Sequence, residues 1–120
     1  MTATLTKLPM PVPDHERIRT YAEASGDMNP LHLDPEAARK VGFPDVISHG
    51  MLVMGLALST LKTGLGADRI TTSHVRFSAP VLAGTELFLS AEVDGTSAEF
   101  KVQTCDETTV LMGRATFSKG

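Results

Sequence analysis

Apolar and polar positions divide the chain into a helical first half and a strand-like second half. Asp14 fits a helix cap, and behind it Ile18, Tyr21, Ala22 and Ser25 follow the i, i+3, i+4, i+7 spacing of one helix face. Gly26 suits the residue just past a helix end, where the backbone turns left-handed. Asp27 to Leu33 reads as loop, because Pro30 lacks an amide hydrogen and holds Asn29 extended. Asp34-Pro35 then opens a short helix through Lys40 that Gly42 ends. From Gly50 to about Lys62, Met51, Leu52, Val53, Met54, Leu56, Ala57, Leu58 and Leu61 cover nearly every direction around a helix. A helix apolar on all sides is predicted to be buried. Gly55 in its middle costs roughly 1 kcal/mol of propensity relative to alanine, which predicts that another backbone approaches closely there.

Past Gly64 and Gly66 the period changes from helical to two. Leu87, Leu89, Ala91 and Val93 alternate with Glu86, Phe88, Ser90 and Glu92; Asp94-Gly95 marks a turn, and Ala98, Phe100 and Val102 alternate with Glu99, Lys101 and Gln103. A last strand is predicted from Thr108 to Phe117, an earlier one from Ile70 to Ser78 before Pro80, and an edge strand over Leu5 to Met10, closed by Pro9, Pro11 and Pro13. Short connections favour antiparallel neighbours. Helices followed by an antiparallel sheet make the α+β class, with one long helix wrapped by a curved sheet of four or five strands.

At 120 residues the chain fits one domain, 1–120. A chain of this size buries only about two-thirds of its unfolded surface, which favours an oligomer. Hydrophobic residues make up 42% and charged residues 21%, the balance of a folded chain. The net charge of −3, without a basic run, leaves nucleic-acid binding without its electrostatic source. Cys105 is the one cysteine, so an intrachain disulfide is excluded and a reducing, cytoplasmic setting is expected. Met1 to Met10 lacks the apolar core of a signal peptide, and Met51 to Leu58 falls short of the about 20 residues that cross a bilayer. No membrane association is expected.

Candidate chemistry centres on two places. Asp27 and His32 lie five residues apart on the segment held by Gly26 and Pro30, a spacing that lets a carboxylate and an imidazole share one water. The same residues also fit a plainer reading, in which Asp27 and Asn29 cap turns and His32 packs. At His49-Gly50-Met51 the apolar helix begins, where unpaired amides and the positive end of the dipole can stabilise charge on a carbonyl oxygen. Gly50 would let a ligand approach the main chain, although a small residue at a helix start also serves packing alone.

The run Tyr21-Ala22-Glu23-Ala24-Ser25-Gly26-Asp27-Met28-Asn29-Pro30-Leu31-His32, followed by Asp34, Gly42-Phe43 and His49-Gly50-Met51, resembles the hydratase-2 motif of the MaoC-like dehydratases. That family includes R-specific enoyl-CoA hydratases and hydroxyacyl-carrier-protein dehydratase subunits of mycobacterial type. The similarity extends through Val75-Arg76-Phe77, Pro80-Val81 and Gly84-Thr85-Glu86-Leu87, about residues 15 to 95. It implies a hot-dog fold, and reversible hydration of trans-2-enoyl thioesters to (R)-3-hydroxyacyl thioesters. It also implies Asp27 and His32 as the catalytic pair, the Gly50 amide on the thioester carbonyl, and Asn29 supporting the loop. His49 and Met51 fall beside the substrate. The substrate would be an acyl-CoA or acyl-carrier-protein thioester, with no cofactor and no metal, in a homodimer or a paired hot-dog subunit.

Three other readings stand beside it. A hot-dog thioesterase resembles this chain in fold, but many such enzymes carry an acidic residue on the central helix, and Gly50 to Lys62 has none. A metal enzyme would draw on His32, Asp34 and His49, a two-histidine, one-carboxylate set. A non-catalytic acyl-binding subunit would not need both Asp27 and His32. Cys105 reads as a bystander, and Met51 and Met54 as core or tunnel lining. His74 and Arg76 share a strand face, where Arg76 suits a phosphate or a solvated edge.

Overall fold

The computed structural model describes residues 2–119. Its elements run β1 (Thr2–Pro9), α1 (His15–Ser25), α2 (Pro30–Leu33), α3 (Pro35–Lys40), α4 (Gly50–Leu65), β2 (Arg69–Phe77), β3 (Phe88–Asp94), β4 (Ser97–Gln103) and β5 (Thr109–Ser118). The five strands form one antiparallel sheet in the order β1-β3-β4-β5-β2. Tight connections keep β3, β4 and β5 adjacent, while β1 and β2 take the two edges. Because α4 lies between those edge strands in sequence, the chain must carry it across the sheet face. The result is the hot-dog arrangement, α+β, with the sheet wrapped around the helix.

The two periods explain the core. On α4, Val53, Ala57, Leu61 and Leu65 recur every four residues and are buried. They meet Leu89 and Ala91 of β3, Ala98, Phe100 and Val102 of β4, and Leu111, Ala115 and Phe117 of β5. The alternate strand residues Glu92, Glu99, Lys101 and Arg114 face outward and are exposed.

Helix α1 begins and ends as its sequence predicts. The Asp14 carboxylate accepts the Arg17 amide hydrogen at 2.8 Å, and Gly26, at φ 81°, returns its amide to the Ala22 carbonyl. The edge strand over Leu5 to Met10 is found as β1, three residues longer at its start.

Four expectations change. Asp27 to Leu33 is not all loop, since Pro30–Leu33 forms the short helix α2 with Asn29 as its cap. Proline at the first helical position loses nothing, because that amide has no partner in the helix. The central helix continues past Lys62 to Leu65, where Gly66 ends it at φ 64°. It is also not sealed all round: Met51 is 58% exposed, and Gly55 and Ser59 are exposed on the same strip. Among the described residues, nothing beyond its chain neighbours and the helix's own backbone lies within 4 Å of a Cβ built at Gly55; the close approach is at Gly64, where a Cβ would come 2.7 Å from Leu8 Cδ1. There β1 crosses the last turn of the helix.

Candidate active site

Short-range hydrogen bonds shape the segment after α1. The Asp27 amide donates to Ser25 Oγ, and Asp27 Oδ1 accepts the Asn29 amide hydrogen at 3.3 Å. Asn29 Oδ1 caps the Leu31 amide, and the His32 amide donates to the Asn29 carbonyl. These bonds fold the backbone back on itself, so that the two ends of a six-residue segment face each other.

Long-range bonds then aim the imidazole. The Ile47 amide donates to the Leu31 carbonyl at 3.0 Å, pinning α2 to the strand-like segment ahead of α4. His32 Nδ1 lies 2.7 Å from the Ile47 carbonyl oxygen. A carbonyl only accepts, so Nδ1 carries the hydrogen and Nε2 is turned toward Asp27. The distance from Nε2 to Asp27 Oδ2 is 3.9 Å, with His32 side-chain exposure 12% and Asp27 55%. That gap is too long for a direct hydrogen bond and suits a water bonded to both groups.

His49 caps α4 and is buried to 2% exposure. Its ring stacks on His32, with centroids 3.8 Å apart, and meets the edge of Tyr21 at 4.8 Å. It therefore touches the pair rather than open space. Its Nε2 lies 3.0 Å from the Asp27 carbonyl oxygen. Gly50 follows directly. The first amide of α4 to bond back is that of Val53, to the His49 carbonyl, so the amides of Gly50, Met51 and Leu52 precede the helical ladder.

The Phe77 ring covers Gly50, where an added Cβ would sit 3.2 Å from it. Beside them is a cavity of about 340 Å3 lined by Ile47, Gly50, Val53, Phe77, Val81 and Val110. Met51 is exposed on the same helical turn. A larger depression, about 800 Å3, lies on the outer face of the sheet among His74, Arg76, Lys101 and Arg114. It is lined by none of Asp27, His32 and Gly50, whereas the smaller cavity is lined by Gly50 but by neither Asp27 nor His32.

Asp34 lies apart from the site, its carboxylate accepting the Glu36 amide hydrogen as the cap of α3. The residues that converge are instead Asp27, His32 and His49, whose ligand atoms lie within 4.8 Å of one another. This arrangement suits a metal poorly. Nearly parallel stacked rings direct their lone pairs along parallel planes rather than toward one point. Farther out, Asp45 is held below the usual carboxylate range by the Val46 amide first and His15 second, tying the start of α1 to the segment that leads to His49.

Of the residues the sequence singles out, Asp27, Asn29, His32 and His49 are joined by direct contacts, while Gly50 follows His49 at the start of α4 and Met51 is exposed beside it. Sequence reasoning gave no role to the Ile47 carbonyl, which has no side-chain signal, nor to the rings of Tyr21 and Phe77.

The model of the MaoC like domain family matches residues 2–114. A mitochondrial 3-hydroxyacyl-[acyl-carrier-protein] dehydratase of Arabidopsis thaliana is 40% identical over 72 residues, 60% of this chain and 43% of that protein. A 3-hydroxyacyl-thioester dehydratase X of Mycobacterium tuberculosis is 42% identical over 80 residues, 66% of this chain and 28% of that protein. The chain thus spans less than half the length of either relative. Among solved structures, the (R)-hydratase from A. caviae involved in PHA biosynthesis superposes with a TM-score of 0.84 at 25% identity, covering 100% of this chain and 95% of that one.

Proposed function

The chain belongs to the family of MaoC-like domains, and on that premise we propose that it is a hydro-lyase adding water reversibly across trans-2-enoyl thioesters to give (R)-3-hydroxyacyl thioesters. The observation that carries this reading is the 3.9 Å gap between His32 Nε2 and Asp27 Oδ2, with His49, the residue that precedes the opening amides of α4, stacked on His32.

In the hydration direction, a water held between Asp27 and His32 loses a proton to the pair while its oxygen bonds C3. The C2–C3 electron pair moves toward the thioester oxygen, which takes a hydrogen bond from the Gly50 amide. The proton held by the pair then reaches C2 on the same face. Dehydration reverses each step. A preorganised amide of this kind is worth about 3–4 kcal/mol in the barrier. The acyl chain extends into the apolar cavity lined by Val53, Phe77 and Val110. CoA and carrier-protein thioesters both fit this chemistry, since only the acyl end enters the site.

A paired assembly also fits. Strand β2 is a nine-residue edge with Phe77 48% exposed, and Met51 is open as well. Free strand edges beside apolar side chains invite another chain. No helix of the described residues is long and apolar enough to cross a membrane.

The test is loss of enoyl absorbance across a series of enoyl-CoA chain lengths, with free-thiol release followed in parallel and the mass in solution measured by sedimentation. Enoyl loss without thiol release, from a pair of chains, is the expected result. Thiol release would favour a thioesterase, and no reaction at any length, alone or with candidate partners, a non-catalytic acyl-binding subunit. A monomer would remove the pairing and leave the chemistry standing.

A further inference from the structure

We infer that His49 is a positioning residue, an Nε2–H imidazole that holds Asp27 and His32 at the separation a shared water needs. The inference rests on the proposed hydration only for its kinetic readout. Two independent contacts carry it. The Nε2–Asp27 carbonyl bond of 3.0 Å spans 22 residues of sequence and fixes the backbone of the residue that bears the carboxylate. The 3.8 Å stack, at an interplanar angle of 27°, sets the plane of the His32 ring. One side chain thus controls both members of the pair.

The tautomer follows from the bonding. Nε2 faces a carbonyl oxygen, which can only accept, so Nε2 bears the hydrogen. Nδ1 is buried and, among the described residues, has no hydrogen-bond partner. A hydrogen there would be a buried donor without an acceptor, so Nδ1 is the nitrogen left as a bare lone pair. Tyr21 packs edge-on against the ring at 4.8 Å and leaves it little freedom to turn over. The remaining anchors are main-chain groups: the Ile47 carbonyl holds the His32 ring, and the Asn29 amide and carbonyl bond the Asp27 carboxylate and the His32 amide, so neither sets the carboxylate and the ring together as the His49 side chain does. Without His49 the Asp27 carbonyl loses its distant anchor, and its carboxylate keeps only local ones. Misplacement by about 1 Å is enough to cost on the order of 100-fold in rate.

Two variants and one spectrum test this. Glutamine places its amide nitrogen near the position of Nε2 and can still donate to Asp27, whereas methionine fills the volume without a donor. His49→Met is expected to lower kcat by roughly 30–100-fold with KM changed less than about threefold. His49→Gln is expected to recover most of that loss. Full activity in His49→Met, equal impairment in both variants, or a loss carried by KM would overturn the inference. The unaltered protein supplies a readout that needs neither variant folding nor activity. Its ring 15N resonances should report His49 protonated at Nε2 and bare at Nδ1, and the opposite pattern also overturns the proposal. If the parent protein hydrates no enoyl thioester, the proposed function fails while the spectrum still decides the positioning.

Discussion

Replacing Asp27 with asparagine separates the chemistry of the site from its scaffold. The local role of Asp27 is to accept the Asn29 amide hydrogen through Oδ1, a bond the asparagine carbonyl keeps. Its backbone carbonyl still receives His49 Nε2. The side chain is 55% exposed, so the change buries no unpaired group. Substitutions at such places alter stability by less than about 0.5 kcal/mol, which for a domain of this size is about 3 °C or less in the melting midpoint. The effect on rate is of another order. The atom facing His32 across 3.9 Å becomes an amide NH2, which cannot take a proton and can instead donate to the Nε2 lone pair, displacing the shared water. General acid–base catalysis contributes about 100- to 10,000-fold, so kcat should fall by that factor, equivalent to about 3–5 kcal/mol in the barrier. Initial rates of enoyl-CoA hydration, taken beside a thermal melt of each protein, measure both. A variant within tenfold of the parent kcat and unchanged in melting would refute the water-sharing role of Asp27.

The remaining predictions concern the scaffold. Gly113→Ala would put a Cβ 2.4 Å from the His74 carbonyl oxygen and 3.2 Å from both the Phe100 ring and Val75 Cα, and two paired strands cannot yield to it locally. Destabilisation of about 3 kcal/mol or more is expected in urea unfolding, and a loss below about 1 kcal/mol would show that the β2–β5 pairing gives more freely than its register implies. Asp45 is held below its ordinary value of 3.8, so its contribution to stability is present above that pH and is lost on acidification through its lower folded value. The melting difference between the parent and Asp45→Asn should therefore be present at neutral pH and shrink below about pH 4; a difference constant into the acid limb would contradict the Val46 and His15 contacts as its source.

Much of the fold was legible because the signals are local and periodic. Alternation over Leu87 to Val93 and Ala98 to Gln103 located β3 and β4, and the spacing behind Asp14 located α1. Where the reading went astray, tertiary context intervened. An apolar residue at nearly every position of α4 suggested burial all round, yet one sheet covers only one side of a helix, and the strip of Met51, Gly55 and Ser59 stays open. Gly55 and Gly64 look alike in sequence, and only the path of β1 decides which of them is crowded.

The site divides along the same line. The sequence by itself determined the fold-back of Asp27, Asn29 and His32, because Asx turns, a proline at a helix start and a side-chain cap operate within a few residues. Only the tertiary structure decided which His32 nitrogen faces Asp27, through the carbonyl of Ile47, and that His49 grips a residue 22 positions away. Both contacts use backbone acceptors, which every residue type carries alike. Their partners are therefore chosen by where the chain passes, and that path is set by packing the sheet around α4.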